Sequence, residues 1–391
     1  MHLIYVYGGF SPKKYQEYIE SKGLRVQQQA QKYNQLLMEG FVENDAKVDA
    51  VSSRPINRRV CKKLFFKGEK EVANGIRYSY VPFINFPVLR NLTVFFSVFF
   101  KLLFMRTEKK RVMVCDALNI VASCAALTAC KLRRIKTVGI VTDVPCHRPN
   151  NTKVPMHEKI NLCLMKKFDA YLLLTEQMNE IVNPKRRPYV VLEGHSDIAM
   201  ASVENRLENK YEKKVCLYAG TLRKVYGIKT LVHGFVAANI PNAELHIYGE
   251  GDFGKELEEL TKQYPAVKYM GIAPNAEIVE NELRATLLVN PRPTDADYTK
   301  YSFPSKNMEY MASGTPVLTT RLPGMPKEYN EYVFLLDEET ENGVKHALTR
   351  IFSLSDEELH AKGLAAKEFV MKEKNNIVQA QKVLTMIEEK F

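Results

Sequence analysis

The 391-residue chain contains no CxxC pair, no HExxH and no GxSxG. The first two absences leave zinc chemistry without ligands at a workable spacing. The third removes the nucleophile turn used in acyl transfer. The seven cysteines, Cys61, Cys115, Cys124, Cys130, Cys146, Cys163 and Cys216, are odd in number and lie mostly in apolar runs. They suit buried free thiols in a reducing cytosol rather than a disulfide framework or a metal cluster. There is no tandem repeat and no low-complexity tract.

Long hydrophobic runs are missing as well. The most apolar stretch, Phe86 to Met105, is interrupted by Arg90 and Lys101. Its clean part is about nine residues, whereas a membrane span needs about 20. The opening "MHLIYVYGGF" lacks a basic flank, and its apolar run of about five residues is too short for a secretory signal.

The composition, 46% apolar and 26% charged, is that of a soluble globular enzyme, and the length allows two or three domains. The net charge of +11 is unevenly spread. Residues 1–195 carry 32 Lys and Arg against 16 Asp and Glu, and residues 196–391 carry 24 against 29. A basic half joined to an acidic half predicts two modules with different partners. The basic one favours an anionic ligand or surface.

Both halves alternate strand and helix signals. In the first, "HLIYVYGG", "KVDAVSS", "GIRYSYVPF", "KRVMVCDA", "KTVGIVTDVP", "DAYLLLT" and "PYVVLEG" read as strands. The stretches between them read as helices, including one continuous helix from Pro12 to Phe41, except "RRVCKKLFF", which is ambiguous. In the second, "KVCLYAGT", "AELHIYGEG", "VKYMGI", "TLLVNP", "PVLTT" and "YVFLLD" are strands. Two helices close the chain, about Asn342–Ser353 and Asp356–Glu389. Apolar strands separated by helices predict two α/β domains, each a doubly wound parallel sheet covered on both faces. The polar stretch Gly194–Lys214 is the expected linker. Ligands of such sheets bind beyond the carboxyl ends of the strands, so residues just after strands carry the weight.

The stretch "YSFPSKNMEYMASGTPVLTT", Tyr301 to Thr320, holds the densest chemistry. Pro304 suits a helix start, and Ser305 can cap it or sit in its first turn. The free N–H groups of residues 305–307 would then form an anion site. A helix end contributes only about 0.3–1 kcal/mol per exposed interaction, so cations must assist, and Lys306 is placed to do so. Glu309, one turn on, could accept hydrogen bonds from a ribose diol. The same residues equally fit a capped surface helix with a solvated Lys–Glu pair.

Other turns add candidates. In "YAGTLRKVYGIKTLVHGF", Gly220 permits close backbone approach, Arg223 and Lys224 supply charge, and Gly227 opens a helix. Gly8 and Gly9 follow the first strand directly. "TDVPCHRP" places Asp143, His147 and Arg148 within six positions after a buried strand, as an acid–base or hydroxyl-orienting group or as a plain polar turn. "VSSRPINRR" offers Ser52, Ser53, Arg54, Arg58 and Arg59 to an acceptor phosphate or to solvent.

Together these motifs resemble the family-4 glycosyltransferases of GT-B fold, most strongly from about Tyr218 to Tyr332. The resemblance rests on "YAGTLRKVYGIKTL", "HIYGEGD", "YMGIAPNAEI", "MEYMASGTPV" and the closing "EFVMKEKNNIVQAQKVL". The variant "YSFPSKNMEYMASGTPVL" is similar to that of bacterial surface-polysaccharide transferases. Two positions depart from the family pattern. Tyr301 stands where the first glutamate of a glutamate pair is expected, and Tyr226 replaces the cation before the helix glycine. Asp295, Asp297 or Tyr301 could take over the sugar hydroxyls.

The resemblance implies an acceptor-binding domain over residues 1–194 and a nucleotide-sugar-binding domain over 195–370. It also implies a helix over 371–391 that packs back on the first domain. It further implies a retaining transfer from a UDP- or GDP-sugar to a glycan or lipid-linked acceptor, with no metal required and no nucleic acid involved. The groups implied for catalysis are Arg223, Lys224, Lys306, Glu309 and Asp143. Those implied for donor binding are Gly8, Gly9, Gly220, Gly249, Gly271, Ile272, Tyr301 and Ser305. The site of action would be cytoplasmic, at the inner face of the cell membrane. A non-catalytic subunit of the same fold and a sugar-nucleotide 2-epimerase remain as alternatives.

Overall fold

The computed structural model describes residues 1–22, 28–58, 61–144 and 154–391. The chain forms two compact units, Met1–His195 with Asn376–Phe391, and Ser196–Asn375.

The first unit runs β1 (His2–Tyr7), α1 (Pro12–Lys22), α2 (Gln28–Glu43), β2 (Lys47–Ser52), β3 (Phe65–Phe66), β4 (Glu69–Ala73), β5 (Ile76–Tyr80) and β6 (Phe83–Ile84). It continues through α3 (Leu89–Phe104), β7 (Arg111–Asp116), α4 (Ile120–Arg133), β8 (Lys136–Val141), α5 (Met156–Met165), β9 (Ala170–Leu173), α6 (Met178–Val182) and β10 (Tyr189–Val191). The main sheet has the order β10-β9-β8-β7-β1-β2-β5-β4. All its neighbours are parallel except the β4–β5 hairpin, which turns at Asn74-Gly75. The expected all-parallel sheet thus carries an antiparallel edge strand. β1 is buried along its whole length, as its unbroken apolar run requires.

The second unit runs β11 (Lys214–Ala219), α7 (Ile228–Ala238), β12 (Ala243–Tyr248), α8 (Gly254–Gln263), β13 (Val267–Gly271), α9 (Asn275–Arg284) and β14 (Leu287–Asn290). Next come α10 (Ser305–Ser313), β15 (Val317–Thr319), β16 (Phe334–Leu335), α11 (Glu341–Phe352) and α12 (Asp356–Glu373). Its sheet is parallel throughout, in the order β13-β12-β11-β14-β15-β16. The core between sheet and helices is built from side chains such as Leu217, Ile228, Leu231, Ile247, Leu287 and Leu348.

Three sequence expectations change. The stretch after Gly194, the expected linker, belongs to the second unit from Ser196 onward. Asn205 donates to Ser313 O (3.0 Å) and Thr315 Oγ1 (2.9 Å), and the Lys210 ammonium donates to Leu283 O (2.8 Å) and Ala285 O (2.9 Å). These bonds fold the polar segment onto the second unit, because buried carbonyls there need donors. The final helix is broken at Lys374–Asn375, and α13 (Asn376–Lys390) belongs to the first unit. There Asn44 donates to Ile377 O at 2.9 Å and Gln379 to Gly194 O at 2.8 Å. The six described cysteines are free, and of these only Cys115, Cys130 and Cys216 are buried. Cys61 and Cys124 are half-buried, Cys163 is exposed on α5, and Cys146 lies outside the described residues.

Candidate functional site

In the second sheet the strand order reverses between β11 and β14, so the crevice at their carboxyl ends is the place for a ligand. The turns after β11, β12 and β13 meet there. Gly220 N donates to Tyr248 O (3.1 Å), Leu222 N to Glu250 O (2.9 Å) and Gly249 N to Gly271 O (2.7 Å). Gly220, Gly249 and Gly271 therefore lie in one row along the edge of the sheet, with Ile272 exposed beside them. Gly249 has φ +130°, and a Cβ there would fall 1.8 Å from Gly220 O. Gly227 has φ +75°, and a Cβ there would fall 2.1 Å from Pro291 O. Neither position accepts a side chain without moving backbone.

α10 lies across the ends of β11 and β14. The Tyr310 hydroxyl, fully buried, donates to Ala219 O (3.1 Å) and accepts from Ala219 N (2.8 Å). Asn290, the last residue of β14, donates to Asn307 Oδ1 at 2.7 Å, and Asn307 donates on to Thr319 Oγ1 at 3.1 Å. This buried polar chain fixes the first turn of α10 to two strand ends. Pro304 occupies the cap position and Ser305 is exposed in the first turn. The expected trio of free amides is reduced, since Asn307 N already donates to Pro304 O at 2.9 Å.

Lys306 and Glu309 form an ion pair at 2.7 Å, and both are partly buried. Burial by itself would lower the Lys306 ammonium, but the Glu309 and Glu282 carboxylates outweigh it and hold its pKa above the usual value. The side chain is therefore a fixed cation in the first turn of the helix. Tyr301 ends the 3-10 turn Asp297–Tyr301 and is half-buried. Asp295 and Asp297 are exposed, and Asp297 pairs with Lys300 at 3.3 Å.

The cations of the glycine turn are not equivalent. Arg223 is exposed and stands over the Tyr226 ring, 5.6 Å from its centre. Lys224 turns instead to α8, where its ammonium pairs with Glu256 at 3.3 Å and its amide donates to Asp252 Oδ1 at 2.9 Å. A different cation joins Arg223. Arg292, two residues beyond β14, lies over Tyr226 at 5.1 Å and over Tyr298 at 5.2 Å. Its Nε is buried and has no hydrogen-bond partner among the described residues. No motif marks Arg292 in the sequence; its position after a strand at the reversal point was the available signal. A GxGxxG run, Gly249 to Gly254, carries the "HIYGEGD" motif on from β12 into the start of α8. A Cβ at Gly251 would fall 2.1 Å from Leu222 O, so this run is occupied with packing against the neighbouring turn.

In the first unit the order reverses between β1 and β7. Gly8 and Gly9 follow β1, and a Cβ at Gly8 would come within 3.2 Å of the Asn119 amide group. Gly9 is buried under the Tyr7 ring and exchanges hydrogen bonds with Ser52. Asp143 follows β8, and its Oδ1 accepts from the Val144 amide at 2.7 Å. His147, Arg148 and Arg59 lie outside the described residues. Arg54 faces neither solvent nor an open crevice; it is buried and donates to Glu69 (3.1 Å) and Val81 O (3.2 Å). Ser52 and Ser53 are buried too, and Arg58 is exposed. Asp116, the last residue of β7, carries no motif in the sequence. Burial pushes its carboxyl up to about 6, against the lowering effect of the hydrogen bond from Leu118 N. Among the described residues no group of three His, Cys, Asp or Glu is placed to hold a metal ion.

Residues 202–368 match the family described as glycosyl transferases group 1. That match spans nearly all of the second unit. The enzyme class of the chain is therefore glycosyltransferase. The solved structures similar to this chain include sucrose-phosphate synthase from Thermosynechococcus elongatus (TM-score 0.68, 14% identity, 100% of this chain and 98% of that one). Anabaena HepE in complex with UDP is also similar (TM-score 0.64, 13% identity, all of both chains). So is the lipopolysaccharide outer core galactosyltransferase WaaB (TM-score 0.61, 14% identity, all of both chains). At these identities the likeness is one of fold, and that fold is GT-B, two units each built on a parallel sheet. No curated protein sequence matches the chain.

Proposed function

We propose that this glycosyltransferase moves a sugar, with retention, from a nucleotide-diphosphate sugar to a hydroxyl of a glycan or lipid-linked acceptor. The proposed setting is bacterial surface-polysaccharide synthesis at the inner face of the cell membrane, where the enzyme is peripheral. The observation that carries the reading is the arrangement at the reversal point of the second sheet. Arg223, Arg292, the glycine row and the α10 start all belong to strand ends that flank one crevice. HepE, of the same fold, was solved with UDP, which supports a uridine nucleotide as the donor's leaving group.

In this reading the bond between the anomeric carbon and the phosphate oxygen breaks, and its electron pair goes to the diphosphate. The acceptor oxygen forms the new bond to that carbon, and its proton passes to an oxygen of the departing diphosphate. Negative charge grows on the leaving phosphates, so fixed cations and amides aimed at them lower the barrier. Arg223, Lys306 and the α10 amides take that role, Glu309 takes the ribose, and the Gly220, Gly249 and Gly271 row lets the nucleotide approach backbone. Tyr301 and Ser305 lie on the sugar side. In the basic first unit, Gly8 after β1 is kept for the donor and Asp143 after β8 for the acceptor, whereas Gly9, packed under the Tyr7 ring, contacts neither.

The test is a thermal-shift screen with UDP, GDP, ADP and CMP, followed by the matching sugars. A ligand that binds only the folded chain raises the melting point by mass action. One nucleoside diphosphate should do so clearly, and its sugar should be consumed when an acceptor glycan is added. Consumption of the sugar nucleotide without acceptor, giving an epimer, would replace this reading with the epimerase. No binding by any of them would leave a non-catalytic subunit.

A further inference from the structure

The outward face of α3 is as apolar as its inward face. Val94, Val98 and Leu102 are buried and hold the helix to the first unit. On the opposite side, Leu92, Phe96, Phe100 and Phe104 recur every four residues and are 52%, 46%, 49% and 76% exposed. The Phe rings stack along the helix, with centroids 6.1 Å apart for Phe96 and Phe100 and 6.2 Å for Phe100 and Phe104. A surface helix of a soluble domain normally puts its charges on that side. Here the only charged residues in the sixteen of α3 are Arg90 and Lys101. Large contiguous apolar surface of this kind marks a binding face, and among the described residues nothing covers it.

Cations frame the stripe. The Asn85 side chain donates to Cys61 O (2.9 Å) and Lys63 O (3.0 Å), and its amide donates to Leu64 O (2.7 Å). These bonds strap the exposed segment Lys62–Phe65 beside the start of α3, and Phe65 is itself 62% exposed. Lys67 and Lys70 follow, and Lys70 lies close enough to Lys101 for each to feel the other's charge. Arg106, Lys109 and Lys110 are exposed just past the helix end. Residues 54–110 contain 13 Lys and Arg against 3 Asp and Glu.

We propose that this face of the first unit docks reversibly on an anionic lipid surface. Leu92, Phe96, Phe100 and Phe104 would enter the interfacial layer, and Lys62, Lys63 and their neighbours would rest on the headgroups. The proposal deepens, and rests on, the peripheral-membrane reading above by naming the surface that makes the contact. Charge selects the occupant. A second copy would bring an equally basic patch against this one, and like charges oppose pairing. An anionic leaflet satisfies both the rings and the cations. No described helix is long and apolar enough to cross a membrane, so the contact is a surface one.

The experiment sediments the full chain with vesicles of phosphatidylcholine, with and without phosphatidylglycerol, at low and high salt. Expected is binding to the anionic vesicles that falls about tenfold or more between about 50 and 500 mM salt. The triple variant Phe96→Ser/Phe100→Ser/Phe104→Ser should lose about tenfold in binding. The pair Lys62→Glu/Lys63→Glu should lose most of the preference for anionic lipid. All these side chains are exposed, so both variants should melt like the parent and bind nucleoside diphosphate equally in the absence of vesicles. That last measurement keeps a failure of this proposal distinct from a failure of the transferase reading. Equal vesicle binding by the triple variant, or no binding by the parent at low salt, overturns the proposal. A concentration-dependent dimer of the parent that the triple variant abolishes also overturns it, in favour of a second copy.

Discussion

The Tyr310 hydroxyl spans both backbone polar groups of Ala219, accepting from its N–H at 2.8 Å and donating to its carbonyl at 3.1 Å. Ala219 ends β11, and Gly220 begins the turn that holds Arg223. One phenol on α10 therefore sets the distance between the two parts of the candidate site. Tyr310→Phe leaves a buried donor and acceptor unpaired, at a cost of about 1–3 kcal/mol. The expected result is a lower urea midpoint together with nucleoside-diphosphate affinity reduced about tenfold. A loss of stability with unchanged affinity would show that the bond supports the fold alone.

Lys306 and Glu309 neutralise each other in the unliganded chain. If phosphates take the ammonium and a ribose takes the carboxylate, each group has a partner to exchange. Lys306→Ala and Glu309→Ala should each reduce kcat/KM on the order of 100-fold or more, the scale of removing one charge-stabilising donor. Circular dichroism should show both folded. Near-parental rates in both would remove α10 from the mechanism.

Arg292 and Lys224 make opposite predictions despite equal charge. Arg292 is held between two tyrosine rings with its Nε unpaired, whereas Lys224 is engaged with Glu256. By calorimetry, Arg292→Ala should weaken a nucleoside diphosphate about tenfold or more while sparing the nucleoside, since a charge-assisted hydrogen bond contributes about 1.5–3 kcal/mol. Lys224→Ala should change either affinity less than about threefold, in keeping with an exposed ion pair.

Asp116 supplies a pH prediction. Its carboxyl has a pKa raised to about 6 by burial, so the folded chain holds a proton that the unfolded chain has released. Between about pH 4 and pH 6 the folded state therefore binds more protons, and stability falls as pH rises through that window. Asp116→Asn, neutral throughout, escapes the loss. The variant's melting point should gain on the parent's as pH rises to about 6 and level off above about 7. The gain corresponds to about 1–3 kcal/mol, given a half-buried side chain. A constant difference across the range would show that Asp116 is ionised in the folded chain throughout.

Much of the two-sheet architecture was legible because its strands are short, fully buried apolar runs between amphipathic stretches. Periodicity reports that pattern directly. The edge hairpin was overlooked although Asn74-Gly75 is a strong local turn signal. Its strand, "EKEVA", is too polar to stand out, as suits an edge. The break at Lys374–Asn375 has no local cause, since neither Gly nor Pro is present. It is imposed by the pairing of Ser196 with this segment, where Ser196 N donates to Lys374 O at 2.9 Å. The same distinction divides the site. The α10 start was visible through Pro304, Lys306 and Glu309, which are neighbours in sequence. Arg292, Asp116 and the engagement of Lys224 depend on burial or on distant partners such as Tyr226, Asp252 and Glu256, and no spacing rule encodes these.

The separation of α12 from α13 bears on how the polypeptide matures. Residues 376–390 complete the first unit, yet they are synthesised after every residue of the second. A ribosome releases the amino-terminal sheet with the groove beside α2 still vacant, and that groove stays so until residues 376–390 have been made. The first unit is thus the later of the two to reach its final state, and a fragment ending at His195 would expose an apolar flank and aggregate.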